Sequence, residues 1–230
     1  MKPLLFGLFE KHKMSKIRLK PDQLFNVGKI VCVGQNYRLH IEEMKSKTSK
    51  EPLLFLKPST ALLSEGDMIY LPEYSNEIHY ETELALLIGK KAKNIVPSEW
   101  REYILGAGIA LDLTLRDWQR KAKEKGHPWA VAKGFDGSCP ISSFTPIGEI
   151  EDIQSLSLKM YLNDELRQNG NTQDMIHSVG ELLSYISRIF TLEKGDIILT
   201  GTPAGVGEIK SGDKLHAEIS EVGLVEFIVS

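Results

Sequence analysis

Residues 78–89 read IHYETELALLIG. In an extended strand the side chains at i and i+2 share a face, so Glu81 and Glu83 point the same way, with Ala85 and Leu87 continuing that face. Thr82, Leu84, Leu86 and Ile88 take the other face. Both faces turn apolar directly after the acids, so the strand runs from a charged mouth into a core. Two carboxylates about 7 Å apart at such a mouth repel each other and resist desolvation unless a cation sits between them. The plain alternative is a solvated strand end.

Outward from this strand the chain continues as short apolar runs divided by turns. KIVCVG (29–34), PLLFLK (52–57), DMIYLP (67–72), ILGAGIALDLTL (104–115), LSLKMYLN (156–163), DIILTG (196–201), KLHAEIS (214–220) and LVEFIV (224–229) carry the alternation or β-branched content of strands. Helical periods are fewer: HIEEMKSK (40–47), PSEWREYIL (97–105), LRDWQRKAKEKG (115–126) and MIHSVGELLSYISRIF (175–190), the last capped near Thr172 or Asp174. Strands dominate and helices are scattered, which predicts an α+β fold with a largely antiparallel or mixed sheet. No repeat or linker-like stretch appears. Residues 1–28 read as an N-terminal extension packed on the core, with MKPLLFGLFEKHK (1–13) as a first strand, and residues 29–230 as the main domain.

Composition excludes several classes. With 230 residues, 42% hydrophobic and 26% charged, the chain is long enough to hold a core without disulfides or structural metal. Twenty-eight Lys+Arg against 31 Asp+Glu leave no basic field for nucleic acid. Cys32 and Cys139 are too few for a disulfide framework and lack zinc spacing, which suggests a reducing compartment. No apolar run approaches the ~20 residues of a membrane span, so the expected address is the cytoplasm.

Asp112 is the only ionisable group between Ile104 and Leu115, and an acid isolated in an apolar strand needs a partner. With Glu81 and Glu83 it would make an all-oxygen site suited to Mg²⁺, Mn²⁺ or Ca²⁺. Equally it could pair with Arg116, Arg120 or Lys133. Lys133, in WAVAKG (129–134), either snorkels at a strand end or places a charge inside a cleft. His40 and Glu43 have helical i, i+3 spacing; they are either a base oriented by an acid or an incidental contact on an exposed helix. DIILTGTPAGVG (196–207) lacks the Lys-Ser/Thr of a P-loop, and its threonines and backbone N–H groups could hold a carboxylate or make a plain turn.

Taken in order, GQNYRLHIEE (34–43), LLFLKPST (53–60), IHYETELALLIG (78–89), GIALDLTLRDWQ (108–119), PWAVAKGFDGSCP (128–140) and DIILTGTPAGVG (196–207) closely resemble the fumarylacetoacetate hydrolase family, and more closely its short acylpyruvase-like branch. The resemblance implies a β-roll catalytic core, a homodimer, and Mg²⁺ or Mn²⁺ held by Glu81, Glu83 and Asp112. It implies His40 and Glu43 as a water-activating dyad on a short lid helix and Lys133 as a contact to substrate oxygens. Gln119 and Thr202 would line the pocket, and Arg38 and Arg116 would meet a carboxylate. The family often carries Arg where this chain has Gln35.

The activity so implied is hydrolysis of the C–C bond of an acylpyruvate through a metal-stabilised pyruvate enolate. The same apparatus would serve oxaloacetate decarboxylation, tautomerisation or dienoate isomerisation. A different class of reading is a 2-oxo acid binding module with a structural Ca²⁺; the complete set of catalytic positions argues for the enzyme.

Overall fold

The computed structural model describes residues 15–45 and 50–230. The proposed strand at 1–13 and part of the KSKTSK stretch (45–50) lie outside the described residues. In chain order the elements are β1 (Lys16–Leu19), β2 (Gln23–Asn26), β3 (Lys29–Gly34), α1 (Arg38–Glu43), β4 (Leu53–Pro58), β5 (Leu62–Ser64), β6 (Ile78–Tyr80) and β7 (Thr82–Ile88). Next come β8 (Ile104–Leu111), β9 (Thr114–Leu115), α2 (Arg116–Lys125), α3 (Ala130–Lys133), β10 (Cys139–Ile141), β11 (Thr145–Pro146), β12 (Ser157–Leu162) and β13 (Glu165–Asn171). The chain finishes with α4 (Val179–Ile189), β14 (Ile197–Leu199), β15 (Gly207–Glu208), β16 (Lys214–Ile219) and β17 (Gly223–Ile228). This is the mixed α+β architecture expected from the sequence, with few helices.

The main sheet runs β4-β3-β14-β7-β8-β10-β5, with β11 also on β8. It is mixed, because β3 pairs parallel with β14 and β10 parallel with β5 while β7 is antiparallel to both its neighbours. A four-stranded antiparallel sheet, β13-β12-β16-β17, and a small one, β15-β6-β9, complete the framework.

β7 is buried along its whole length, and its alternation divides two cores. Leu84, Leu86 and Ile88 join the larger cluster with the inner faces of β12, β16 and α4, whereas Ala85 and Leu87 join a smaller one with Cys32, Cys139 and Phe144. A strand apolar on both faces belongs in the middle of a covered sheet, where it lies. The β1–β2 hairpin packs Ile17, Leu19 and Phe25 into the smaller cluster.

Local chemistry departs from the sequence expectation at four places. DMIYLP is not a strand, since only Ile69 makes a bridge, to Val229. Pro97–Tyr103 forms a 3₁₀ helix and Ile104 already belongs to β8. Helix α4 begins later than Thr172 or Asp174: Ser178 accepts from the Glu181 N–H while the Glu181 carboxylate accepts from the Ser178 N–H, a reciprocal capping box. WAVAKG is the one-turn helix α3, so Lys133 stands at a helix end rather than a strand end. Among the described residues no helix is long and apolar enough to cross a membrane.

Candidate active site

Register brings the acids together. β7 and β8 pair Thr82 with Leu111 and Glu83 with Ala110, and the Asp112 N–H donates to the Glu81 carbonyl at 2.7 Å, so Asp112 sits opposite Glu81 where the strands meet. The side chains of Glu81, Glu83 and Asp112 are buried, each offering an oxygen within 4.8 Å of the others. Three buried carboxylates at that spacing can hold a divalent ion, and an all-oxygen donor set suits a hard one.

The charges around the trio are as buried as the acids. The Lys133 ammonium lies 2.9 Å from Glu81 Oε2, donates to Asp112 Oδ2, and donates to Thr114 Oγ1 at 2.6 Å. Arg116 places Nη2 at 2.5 Å from Glu81 Oε1. Burial opposes ionisation of Glu81, but the neighbouring Lys133 and Arg116 charges hold its carboxyl well below the usual range. Glu83 goes the other way: burial, then the Asp112 and Glu81 charges, push it well up, opposed by Lys133 and by the Gly201 N–H, which donates to Glu83 Oε2 at 2.7 Å. That repulsion is what a cation between the acids would relieve, so the residues present fit one.

Gly201 holds this contact because no other residue fits. Its φ is +96°, and a Cβ there would lie 2.8 Å from Asn36 Cβ. Thr202 next to it donates to the Thr82 carbonyl and accepts from Gln168 Nε2, both at 2.8 Å.

His40 is buried on α1, with Nδ1 3.3 Å from Glu43 Oε2. Burial lowers the imidazole's basicity, against the raising effects of Glu81 and Glu43. The Glu43 carboxylate in turn accepts from the Gly205 N–H at 3.1 and 3.2 Å, which ties α1 to the loop after β14. A single cleft is lined by His40, Glu81, Glu83, Arg116, Gln119, Lys133 and Thr202, together with Gln35, Phe55, Lys123 and Trp129. Asp112 lies beneath it, held by the two lysines. Glu43 stands behind His40 and Asp112 behind Lys133, each touching a lining residue without lining the cleft itself, whereas Arg38 is exposed on α1 and outside the lining.

Three buried residues escaped the sequence reading. Lys57 Nζ contacts Asp112 Oδ1 at 2.9 Å and donates to the carbonyls of Leu113, Lys133 and Ser138 and to Ser138 Oγ. Its signal was present: it is the lone ion ending the apolar run LLFLK, the same criterion that marks Asp112. Gln168 joins Thr82 N to the Thr202 side chain, and Asn36 joins the turn before α1 to Thr200 and His177. Neither has a sequence signal, because their partners are distant in the chain, 34 and 86 residues from Gln168 and 141 and 164 from Asn36.

Residues 29–230 match the family described as fumarylacetoacetate (FAA) hydrolase, C-terminal. The chain belongs to that family. Within the fumarylacetoacetate hydrolase family, it is 48% identical over 200 residues to a Mus musculus protein named oxaloacetate tautomerase FAHD1, mitochondrial, covering 87% of this chain and 90% of the relative. It is also 48% identical to oxaloacetate tautomerase YcgM of Escherichia coli K12, over 83% of this chain and 88% of that one. Among solved structures, fumarylpyruvate hydrolase from Pseudomonas aeruginosa, in complex with Mn²⁺ and pyruvate, superposes with a TM-score of 0.90 at 32% identity, covering 97% and 99% of the two chains. These relatives shift the expectation: the tautomerase alternative is better supported than acylpyruvate hydrolysis.

Proposed function

We propose that the chain is an oxaloacetate tautomerase, interconverting the keto and enol forms of this 2-oxo diacid. The observation that carries the reading is the placement of a buried, neutral-leaning His40 in one cleft with the acid trio and Lys133. The names of the relatives in Mus musculus and Escherichia coli support it.

Glu81, Glu83 and Asp112 would hold Mg²⁺ or Mn²⁺, which when bound supplies Lewis-acid polarisation of the 2-oxo group and charge stabilisation for its enolate. His40, whose Nδ1 side is taken by Glu43, would use Nε2 to remove a proton from C3 of the keto form and return it to the enolate oxygen. Glu43 holds the imidazole in that orientation and is itself held by Gly205. Lys133 adds positive charge near the oxygen that becomes negative. Glu81 and Asp112 are already paired with the buried cations Lys57, Lys133 and Arg116, so a divalent ion would add net positive charge to the site, which suits an anionic 2-oxo acid.

The likeness to fumarylpyruvate hydrolase supports a second reading, acylpyruvate hydrolysis, in which the same dyad would activate water. The test is to follow oxaloacetate ketonisation by ultraviolet absorbance with Mg²⁺ or Mn²⁺, beside acetylpyruvate cleavage under the same conditions. Chelator-sensitive tautomerisation that outpaces cleavage is expected; faster cleavage would replace the first reading by the second. The homodimer that the family resemblance implies is checked by light scattering.

A further inference from the structure

On α2, Arg116, Gln119 and Lys123 follow one another at i, i+3 and i+7, the spacing of a single helix stripe, and all three line the cleft. Two of them are engaged: Arg116 is bound to Glu81, and its Nη1 donates to Gln119 Oε1 at 3.0 Å. Lys123 is not. It is exposed at the rim, its ammonium stands 5.2 Å over the Trp129 ring, and among the described residues it has no carboxylate partner.

Its neighbours make this position unusual for a surface lysine. Partial burial and then the positive charges of Arg116 and Lys133 disfavour its protonated form, with only Glu81 acting the other way, and Glu81 is already shared between those two cations. A vestibule shares Gln35, Arg116, Gln119 and Lys123 with the cleft and is also lined by Lys45 and by Arg120, which is paired with Glu77, so Lys123 borders both spaces. An unpaired ammonium on an aromatic platform, where the inner site opens outward, is suited to an anion.

We propose that Lys123 is the specificity-determining residue of the cleft, its ammonium taking the second carboxylate of a 2-oxo diacid whose 2-oxo acid end lies at the acid trio. This rests on the tautomerase reading for the orientation of the substrate. Lys123 thereby distinguishes oxaloacetate from pyruvate, which has the same 2-oxo acid end and no second carboxylate. A charge-assisted hydrogen bond of this kind corresponds to about tenfold or more in affinity.

The experiment measures binding of oxaloacetate and of pyruvate to the Mn²⁺-loaded protein by calorimetry, alongside oxaloacetate tautomerisation, for wild type, Lys123→Met, Lys123→Glu and Lys123→Arg. Wild type is expected to prefer oxaloacetate. Lys123→Met should cut that preference about tenfold, Lys123→Glu should cut it further, and Lys123→Arg should retain most of it. In the kinetics the KM for oxaloacetate should rise more than kcat falls. A wild type without preference, or a Lys123→Met protein within about twofold of wild type, would overturn the role of Lys123. Preference without tautomerisation would overturn the tautomerase reading and leave Lys123 as the recognition residue of a diacid site.

Discussion

Lys57 Nζ lies 2.9 Å from Asp112 Oδ1, and both side chains are wholly excluded from solvent. The pair joins β4 to the end of β8, and the further bonds of Lys57 to the Lys133 carbonyl and to Ser138 fix the base of the cleft from below. Asp112 thus reaches the cleft floor already held on one oxygen by Lys57 and on the other by Lys133.

Removing one partner of such a pair leaves an uncompensated charge in the core. Lys57→Met should therefore lower stability by about 3 kcal/mol, the lower end for a broken buried pair because Asp112 keeps Lys133. The double variant Lys57→Met/Asp112→Asn should recover part of that loss while Mn²⁺ binding stays impaired. Chemical denaturation with a metal titration checks both, and a single-variant loss below about 1 kcal/mol would contradict the assignment.

The dyad and the acid trio should separate by reaction. His40→Ala should slow oxaloacetate tautomerisation by about 10²- to 10⁴-fold, and metal-assisted decarboxylation much less, since that step needs no base. Glu81→Ala should abolish both. Parallel rate measurements on the two activities decide; equal losses in His40→Ala would remove the separate role of the dyad.

Gly205 has φ +98°, and a Cβ there would lie 2.0 Å from the Arg167 carbonyl oxygen. Gly205→Ala should displace the loop whose N–H holds Glu43, lowering kcat/KM. Because both changes act on the same contact, combining it with Glu43→Gln should cost less than the two single effects together. A fully additive double variant would place Gly205 outside the dyad's support.

Ser178→Ala removes the side-chain acceptor at the start of α4 and should cost about 1 kcal/mol, or roughly 2–4 °C in Tm. Ser178→Asp should retain most of the stability. Thermal unfolding of the two variants is the check.

On β16, the His216 imidazole contacts Glu218 at 2.7 Å and Glu226 at 2.9 Å, with the Tyr161 ring of β12 packed edge-on against it. The Glu218 hydrogen bond leads the causes that raise its pKa, with Glu226 adding to it against a smaller opposing effect of burial. A group raised in the folded state stabilises below its unfolded value of about 6.5 and loses that contribution as pH rises through the folded value. Both carboxylates are solvent-exposed, so the effect should stay below about 1 kcal/mol. Denaturation from about pH 6 to pH 9 should show this slope in wild type and lose it in His216→Asn.

Periodicity and isolated charge make much of this molecule legible in its sequence. The alternation in residues 78–89 predicted a strand leaving a charged mouth for a core apolar on both faces, and β7 does so between two clusters. The lone acid in ILGAGIALDLTL announced a partner, and two buried lysines supply it. Local turn chemistry is harder to read: the Lys133 segment coils into one helical turn, and its few apolar residues carry no period long enough to separate strand from helix.

The choice left open for Asp112, metal ligand or ion-pair partner, was never local. The β7–β8 register carries Asp112 to Glu81, and α3 folds Lys133 over both, so the acid is at once an ion-pair partner and a member of the trio. Side-chain type and spacing along the chain determined which groups needed partners, since burying a charge alone is costly whatever the fold. Which partner each one received depended on strand pairing and helix packing between residues distant in sequence, and a one-residue slip of β8 would have turned Asp112 to the opposite face.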